Sequence, residues 1–370
     1  MWKNKAYQDR RKALANIAKE TKELTPSIAA QLPSLDPTKS ECLELASLPP
    51  LTHRKGSGLG TAVRVSNEDS LDAAIKMPSV QILNLQNGQT TATAASETDI
   101  LDRVLKATAA NPSNLNVGTA ARVSMLNMAS EKSPGGGWLR GSSAQEEAIC
   151  FRSTLAGSLH RRWYPISVTA GLYTRDVVVF RSSMGDGHKL LMTGTPDVTA
   201  AAQLPVVSIL SVARIRRPAV KRSNGNEGRE KGTDDGEDQD GNHHPSSGGK
   251  LSIKKGGELE KGKAGRLLFA DANARSLTKD KMRLCLRMAA ARGHTMLVLG
   301  LLGCGAFGNP PGEVADCWLE VLNEEEFRGG WFKEIWFAVY DRKNEGNFEV
   351  FRETLDGKII GKIETEGDRN

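Results

Sequence analysis

The chain has 370 residues, of which 39% are hydrophobic and 25% are charged, and its formal net charge is +6. Its first residues contain no apolar stretch and no run of about eighteen apolar residues occurs later, so we expect neither a signal peptide nor a membrane span. The five cysteines are scattered and mostly lie in apolar segments. Such cysteines are typical of reduced thiols in an intracellular protein, cytoplasmic or nuclear.

The positive charge is modest and suits a polyanionic partner, but no fingerprint of a nucleic-acid-binding module is visible. The basic run 214–222 is interpreted as a strand end that leads into a solvated linker, with a nuclear import signal as the alternative. The pair His243 and His244 is interpreted as part of that linker, so we expect no metal site.

The N-terminal part of the chain predicts a basic amphipathic helix over residues 6–24, followed by a loop rich in Pro, Ser and Leu up to residue 60. Strands are then expected at 61–65 and 80–84, on either side of a helix at 69–77. Up to this point the sequence predicts secondary structure but suggests no catalytic or binding residue.

A strand, a glycine loop and a helix follow one another in the middle of the chain. Residues 121–126 predict a short buried strand, and Gly135, Gly136 and Gly137 make the loop. The helix is predicted from apolar residues at helical spacing: Ala148, Phe151, Leu155 and Leu159.

Two adjacent carboxylates, Glu146 and Glu147, stand at the start of this helix. Ser143, three positions before Glu146, predicts a capping box, in which Glu146 only closes the helix start. The functional alternative is that something anionic and bulky lies against the glycines, because they let a backbone approach a ligand closely and helix-start N–H groups attract phosphate. One carboxylate would then face a bond to be broken.

Beyond this helix we expect strands at 171–181 and 204–213. From Lys221 to Lys250 no residue is apolar, so this stretch buries too little surface to offset its ordering entropy. A helix is predicted at 278–292, and a final strand at 333–340. Residues 347–355 are expected to dock Phe348 and Phe351 on the core.

A second glycine loop joins an apolar run at 295–302 to a helix predicted at 313–322. Gly303, Gly305 and Gly308 match G-x-G-x-x-G, which can bind a pyrophosphate. A dinucleotide-binding oxidoreductase is disfavoured, because the loop lies late in the chain and no acidic residue ends a second strand about twenty residues on.

Two side chains within this second loop allow a structural interpretation. Cys304 has no histidine partner at a recognisable spacing and is interpreted as a small buried residue. Without further information, Phe307 is equally well explained as a core aromatic that pins the loop.

Together the two motifs resemble the microbial type of poly(ADP-ribose) glycohydrolase. Three glycines followed after seven residues by Gln145-Glu146-Glu147 resemble the signature of that family, and Val123 to Ser130, Pro134 and Ala144 to Thr154 are similar too. The second run resembles the family's phosphate-binding loop: Gly303, Cys304, Gly305, Ala306, Phe307, Gly308 and Asn309.

The resemblance implies a role for each of these positions. Glu147 would be the catalytic acid/base, and Glu146 would help to hold the ribose next to the scissile bond. Phe307 would pack against the distal ribose, and Ser130 stands where many relatives carry an Asn that hydrogen-bonds a ribose hydroxyl. The remaining positions would contact substrate, chiefly its diphosphate: Gly135, Gly136, Gly137, Gln145, Gly303, Cys304, Gly305, Ala306 and Gly308.

The alternation of strands and helices predicts a three-layer α/β/α sandwich. The resemblance makes this macrodomain-like, with a mixed central sheet and a ligand cleft over the strand ends. We expect residues 1–60 to form an N-terminal helix and loop extension, and residues 61–220 with 266–356 to form one catalytic domain. Residues 221–265 are expected to be a disordered polar insert and 357–370 a flexible tail.

The implied activity is hydrolysis of ribose–ribose O-glycosidic bonds in poly(ADP-ribose), with release of ADP-ribose and without a cofactor. The partners would be poly(ADP-ribose) or ADP-ribosylated proteins, and we expect a monomer. Two alternatives stay open. One is a non-hydrolytic ADP-ribose reader. The other is a mono-ADP-ribosyl hydrolase that removes ADP-ribose from a protein or nucleic-acid end.

Overall fold

The fold is known from a computed structural model that describes residues 2–52, 60–87, 122–191, 201, 204–223, 266–305 and 307–361. The strands in chain order are β1 Glu41–Glu44, β2 Thr61–Ser66, β3 Ser124–Ala129, β4 Ala170–Val178, β5 Val206–Ala213, β6 Val220–Arg222, β7 Leu267–Phe269, β8 Met296–Leu299, β9 Glu334–Ala338 and β10 Ile359–Ile360. The helices are α1 Trp2–Ala30, α2 Ser70–Asn87, α3 Gln145–Arg152, α4 Leu155–Ser158, α5 Ala272–Ala291, α6 Pro311–Leu322 and α7 Asn347–Leu355.

Eight of these strands form one mixed sheet in the order β1-β4-β5-β3-β8-β9-β2-β10. The five strands from β5 to β2 in that order are parallel, whereas β1, β4 and β10 are antiparallel to their neighbours. β6 and β7 pair separately as a small antiparallel ribbon. Because the parallel strands need crossover helices, both faces of the sheet are covered.

The central strands bury both of their faces, and successive residues enter different cores. Met125 of β3 packs on the side of α1, α2 and α3, whereas Leu126 packs on the side of α5, α6 and α7. Trp336 and Phe337 of β9 divide in the same way. This alternation is the period of two that a strand imposes. The predicted three-layer α/β/α sandwich with a mixed sheet is confirmed.

The N-terminal segment is integrated with the sheet more closely than a helix-and-loop extension. β1 lies within the stretch expected to be loop, and it adds an edge strand to β4. α1 packs beside α3, where the Thr21 hydroxyl donates to the carbonyl of Phe151 at 2.9 Å. Arg11 of α1 also donates to the carbonyl of Arg140 at 3.0 and 3.1 Å, next to the first glycine loop.

Two sequence predictions of local structure were wrong. The strand expected at 80–84 belongs to α2, which continues through Pro78 to Asn87. A short apolar run alone does not distinguish a strand from a buried helix. α5 begins at Ala272, six residues earlier than predicted, because Asp271 caps it by accepting from the N–H of Asn273 at 2.8 Å.

The predicted boundaries of the insert and the tail also shift. Lys221 and Arg222, expected to open the insert, pair with Leu268 and Leu267 in the β6–β7 ribbon. β10, expected within the flexible tail, pairs with β2 at the edge of the sheet. Residues 224–265 and 362–370, which make up the rest of the predicted insert and tail, lie outside the described residues.

The carboxyl ends of β3, β5, β8 and β9 lie at one edge of the sheet. Ala129 at the end of β3 is paired with Ala213 at the end of β5, and Leu299 of β8 is paired with Phe337 of β9. The loops after β3 and β8 are the two glycine loops. In open α/β sheets a ligand binds at this edge, so the topology brings the two sequence motifs together. Among the described residues, no helix is long and apolar enough to cross a membrane.

Candidate active site

The first glycine loop folds directly over the two carboxylates. Gly135 and Gly136 have φ of +64° and +58°, in the left-handed region that favours glycine. A Cβ on Gly136 would lie 2.5 Å from Oε1 of Glu147 and 3.0 Å from Oε2 of Glu146. Glycine is therefore required here by the carboxylates of the protein itself, even before a ligand is considered.

Backbone N–H groups at both ends of this loop hold the carboxylates. Gly137 donates its N–H to Oε1 of Glu147 at 2.8 Å, and Ser130 donates its N–H to Oε2 of Glu146 at 2.8 Å. The predicted capping box was wrong. α3 begins after Ala144 without a side-chain cap, and Glu146 binds the loop instead of the helix start.

The two glutamates differ in exposure and in what their carboxylates contact. Glu146 is 2% exposed and Glu147 is 8% exposed. Burial, reinforced by the negative charge of Glu147, raises the pKa of Glu146 to about 7. Near neutral pH a substantial fraction of Glu146 is thus protonated and can donate a hydrogen bond. Oε2 of Glu147 has no hydrogen-bond partner within the described part of the chain, so it is available to a ligand.

Gln145 docks the helix that carries these carboxylates. Its Oε1 accepts from the N–H of Met128 at 2.7 Å. Its Nε2 donates to the carbonyl of Leu126 at 2.7 Å and to the hydroxyl of Ser70 at 3.0 Å. These bonds fix the start of α3 on β3 and α2. Gln145 lines the cleft, but its amide is already bonded within the protein, and its contact with substrate stays a prediction.

Ser130 shapes the turn that precedes the glycines. Its hydroxyl oxygen accepts from the N–H of Lys132 at 3.3 Å and from that of Ser133 at 3.2 Å. A serine side chain commonly stabilises a turn in this way. Ser130 thus contributes a turn through its side chain and a contact with Glu146 through its backbone. The predicted bond from its hydroxyl to a ribose stays a prediction.

The second glycine loop, Gly303 to Asn309, lies between β8 and α6, as the sequence predicts, and it is closed by Asn309. Asn309 donates from Nδ2 to the carbonyls of Gly303 at 3.1 Å and Ile215 at 2.9 Å. Gly303 has φ of +89°, and a Cβ there would collide with the Asn309 amide. By contrast, a Cβ on Gly305 or Gly308 would have no atom of the described residues within 4 Å, apart from those of its chain neighbours.

The other predicted residues of this loop have different surroundings. Cys304 is buried, and burial raises the pKa of its thiol, in keeping with the interpretation of a small inert residue. Phe307 is half-buried and packs against the guanidinium group of Arg214. Ala306 lies outside the described residues.

Arg214 connects the two motifs, and sequence reasoning missed it. Its Nη1 donates to the carbonyl of Met128 in β3, and its guanidinium carbon lies 3.7 Å from the centroid of the Phe307 ring. Burial lowers the pKa of Arg214, whereas the charges of Glu146 and Glu147 oppose that effect. Arg214 follows the last residue of β5. Its position at the carboxyl end of a parallel strand could have identified it from the sequence. Arg214 also opens a basic run, 214–222, which was interpreted as the start of a linker.

A single cleft of about 930 Å³ extends along this edge of the sheet. Both motifs line it, through Gln145 and Ala148 on one side and Gly303, Gly305 and Phe307 on the other. Glu146 and Glu147 are not among its lining residues, because their carboxylates are turned toward the first glycine loop. The cleft is thus lined by the helix that carries the two glutamates and by the second glycine loop, whereas the first glycine loop and both carboxylates lie outside its lining.

Residues 4–182 match the family model described as the microbial-type PARG catalytic domain. No curated protein matches the chain significantly.

Among solved structures, poly(ADP-ribose) glycohydrolase (PARG) from Thermomonospora curvata is 21% identical, with a TM-score of 0.54, over 92% of this chain and 98% of that one. The same enzyme bound to the inhibitor ADP-HPD has a TM-score of 0.51, at the same identity and coverage. The PARG of Deinococcus radiodurans in complex with ADP-ribose is 20% identical, with a TM-score of 0.51, over 89% and 96% of the two chains.

At these identities the solved structures establish the fold alone. The family model adds the segment that runs from the N-terminal helix through the glycine loop and both glutamates. The resemblance stated from the two motifs is thereby confirmed in one part of the chain: residues 4–182 match the model of the microbial-type PARG catalytic domain.

Proposed function

We propose that this chain is a poly(ADP-ribose) glycohydrolase that hydrolyses the ribose–ribose O-glycosidic bond and releases ADP-ribose, with Glu147 as general acid/base. The observation that carries the proposal is the carboxylate pair held by backbone N–H groups at both ends of the glycine loop, at 2.8 Å each. Such bonds fix the carboxylates before substrate arrives, as acid–base catalysis requires.

The assignment of Glu147 rather than Glu146 is supported by their surroundings. Glu147 is the more exposed of the two, and its Oε2 is unpaired among the described residues, so it can reach a substrate oxygen. Glu146 is almost completely buried, with a pKa of about 7. In its protonated form it can donate a hydrogen bond to a sugar hydroxyl and hold the ribose in place.

The reaction would proceed through an oxocarbenium-like state. Glu147, as a carboxylic acid, gives its proton to the leaving ribose oxygen while the C1–O bond breaks. Water then attacks C1 and returns a proton to the Glu147 carboxylate, so the enzyme is restored. The diphosphate of the ligand would stabilise the developing positive charge, and no second nucleophilic carboxylate is needed.

The diphosphate would lie against Gly305 and Gly308 of the second loop. Apart from chain neighbours, no atom of the described residues lies within 4 Å of the Cβ position of either residue, so a ligand can approach the protein backbone closely there. The start of α6 follows the loop, with Pro311 as the first helical residue. Helix-start N–H groups favour phosphate.

The test is incubation with three substrates and identification of the products by mass spectrometry. The substrates are poly(ADP-ribose), a mono-ADP-ribosylated protein and an ADP-ribosylated nucleic-acid end. We expect free ADP-ribose from the polymer. ADP-ribose released only from the protein or nucleic-acid end would assign the alternative hydrolase activity. Tight binding of ADP-ribose without any product would assign a reader and contradict the proposal.

A further inference from the structure

Arg214 is held in place on two sides. Its guanidinium group donates to the carbonyl of Met128, two residues before Ser130, whose N–H binds Glu146. The face of the same group lies on the Phe307 ring, 3.7 Å from its centroid. A planar guanidinium can make both contacts at once, because its N–H groups point outward in the plane while its face stacks on the ring.

The negative charges of the two glutamates act on Arg214 and oppose the lowering of its pKa by burial. Both Glu146 and Glu147 interact favourably with it. Arg152, another cation in the cleft lining, is already paired with Asp69 at 2.9 Å and with Asp72. Arg214 is therefore a cation of the cleft that contacts both β3, through Met128, and the second glycine loop, through Phe307.

We propose that Arg214 is a positioning residue for the reaction, in that it holds Phe307 of the second loop at a fixed place relative to the carboxylates of the first. This inference rests on the proposed function and on the role that the family resemblance implies for Phe307, which is to pack against the distal ribose. Arg214 acts through Phe307: loss of the guanidinium leaves the ring free to leave the ribose site. The chemical step itself is left to Glu147.

A double-mutant cycle tests this coupling. The affinity for ADP-ribose is measured by calorimetry for the wild type, Arg214→Ala, Phe307→Ala and the double variant. We expect each single variant to lose about tenfold in affinity, and the double variant to lose no more than about tenfold. Arg214→Lys keeps the charge without the planar face, so it should lose nearly as much affinity for ADP-ribose as Arg214→Ala. It also serves as the test variant if Arg214→Ala does not fold.

A second readout separates positioning from a merely structural role. Millimolar guanidinium added to Arg214→Ala should restore part of the affinity and turnover, whereas ammonium at the same concentration should not. Arg216→Ala is the matched control, because Arg216 is exposed and its guanidinium carbon lies 6.0 Å from the same ring centroid. We expect it to change affinity less than about twofold.

Several outcomes would overturn the inference. Additive losses in the double variant would mean that Arg214 and Phe307 act independently. Unchanged affinity for ADP-ribose in both Arg214 variants would mean that Arg214 does not position Phe307 for binding. Increased affinity would mean that the guanidinium occupies space that belongs to the ligand. A wild type that binds no ADP-ribose would instead refute the proposed function, so the two failures are distinguishable.

Discussion

The two loops are both rich in glycine, but their glycines are required for different physical reasons. In the first loop, the space that a Cβ of Gly136 would fill is already taken by the carboxylates of Glu147 and Glu146. In the second loop, Gly305 and Gly308 have open space where a Cβ would be. The first loop is thus packed against the carboxylates of the protein itself, whereas the second leaves space that a ligand can fill.

This difference indicates that the two loops have different tasks in the site. The first loop and its N–H groups organise the carboxylates without a ligand. The second loop is closed at its base, where Asn309 bridges Gly303 and Ile215, and Arg214 packs on its Phe307. Among the described residues the space beside Gly305 and Gly308 is open, as the proposed binding of a diphosphate there requires. Substitutions in the first loop should consequently reduce turnover or stability, whereas substitutions in the second loop should reduce the affinity for the ligand.

The largest effect is expected at the first loop, for Glu147→Gln. This change removes the proton that must reach the leaving oxygen, so turnover of poly(ADP-ribose) should fall by at least about a thousandfold. Steady-state release of ADP-ribose measures it. Glu131→Gln, an exposed glutamate that precedes the same loop, is the control and should keep parental turnover. Glu146→Gln should retain measurable turnover; if it is inactive while Glu147→Gln is active, the roles are reversed.

Gly136→Ala should destabilise the protein by about 3 kcal/mol, because left-handed backbone strain adds to the clash with both carboxylates. The measurement is urea-induced unfolding of the ligand-free protein. Gly357→Ala isolates the strain alone, since Gly357 has φ of +71° and, apart from its chain neighbours, no described residue has an atom within 4 Å of its Cβ position. It should lose about 1 kcal/mol. Equal losses in the two variants would show that the carboxylates do not fill the space behind Gly136.

The buried carboxyl group of Glu146 should make stability depend on pH. Its pKa in the folded protein is about 7, above the ordinary value of 4.5, so the protonated form is favoured by folding. Its stabilising contribution is complete below pH 4.5 and is lost as the pH rises through about 7. Relative to Glu146→Gln, the free energy of unfolding of the wild type should fall by about 3 kcal/mol across that window.

Urea unfolding of the wild type and of Glu146→Gln, repeated at successive pH values, measures this difference. Gln keeps an oxygen that can accept from the Ser130 N–H but does not titrate, so the variant is a fair reference. Parallel pH profiles for the two proteins would contradict the burial of an easily protonated Glu146.

The smallest effect is expected in the second loop, for Gly305→Ala. Without ligand, stability should change by less than about 0.5 kcal/mol, because the added methyl group meets open space. With ligand, the methyl group would push the diphosphate away, and the affinity for ADP-ribose should fall about tenfold. Unfolding and calorimetric titration of the same variant measure both. Unchanged affinity would place the diphosphate elsewhere.

The central strands of the sheet and the two glycine loops were predictable because their patterns are local. Residues 295–302 and 313–322 predicted β8 and α6 well, since a continuous apolar run and a helical period surround the glycines. The first glycine loop followed β3 as expected, although the strand runs from Ser124 to Ala129, three residues later than predicted. Patterns of apolar residues determine which segments are buried, and the segments were found on that basis.

Contacts between distant segments were not predictable. Gln145 bonds Leu126, Met128 and Ser70, and no local pattern links these positions. Glu146 satisfies a capping pattern with Ser143, yet in the fold it binds the N–H of Ser130, because the tertiary contact prevails over the local one. Arg214 was hidden for the same reason: its partners, Met128 and Phe307, lie 86 and 93 positions away.

The most direct test of the central claim is hydrogen–deuterium exchange of the wild type with and without ADP-ribose. The claim is that both loops close on one ligand. We predict one bound ADP-ribose per chain and, on binding, slower exchange of backbone amides in both Gly135–Gly137 and Gly303–Gly308. Protection confined to a single loop, at saturating ADP-ribose, would contradict the claim that the loops share a ligand.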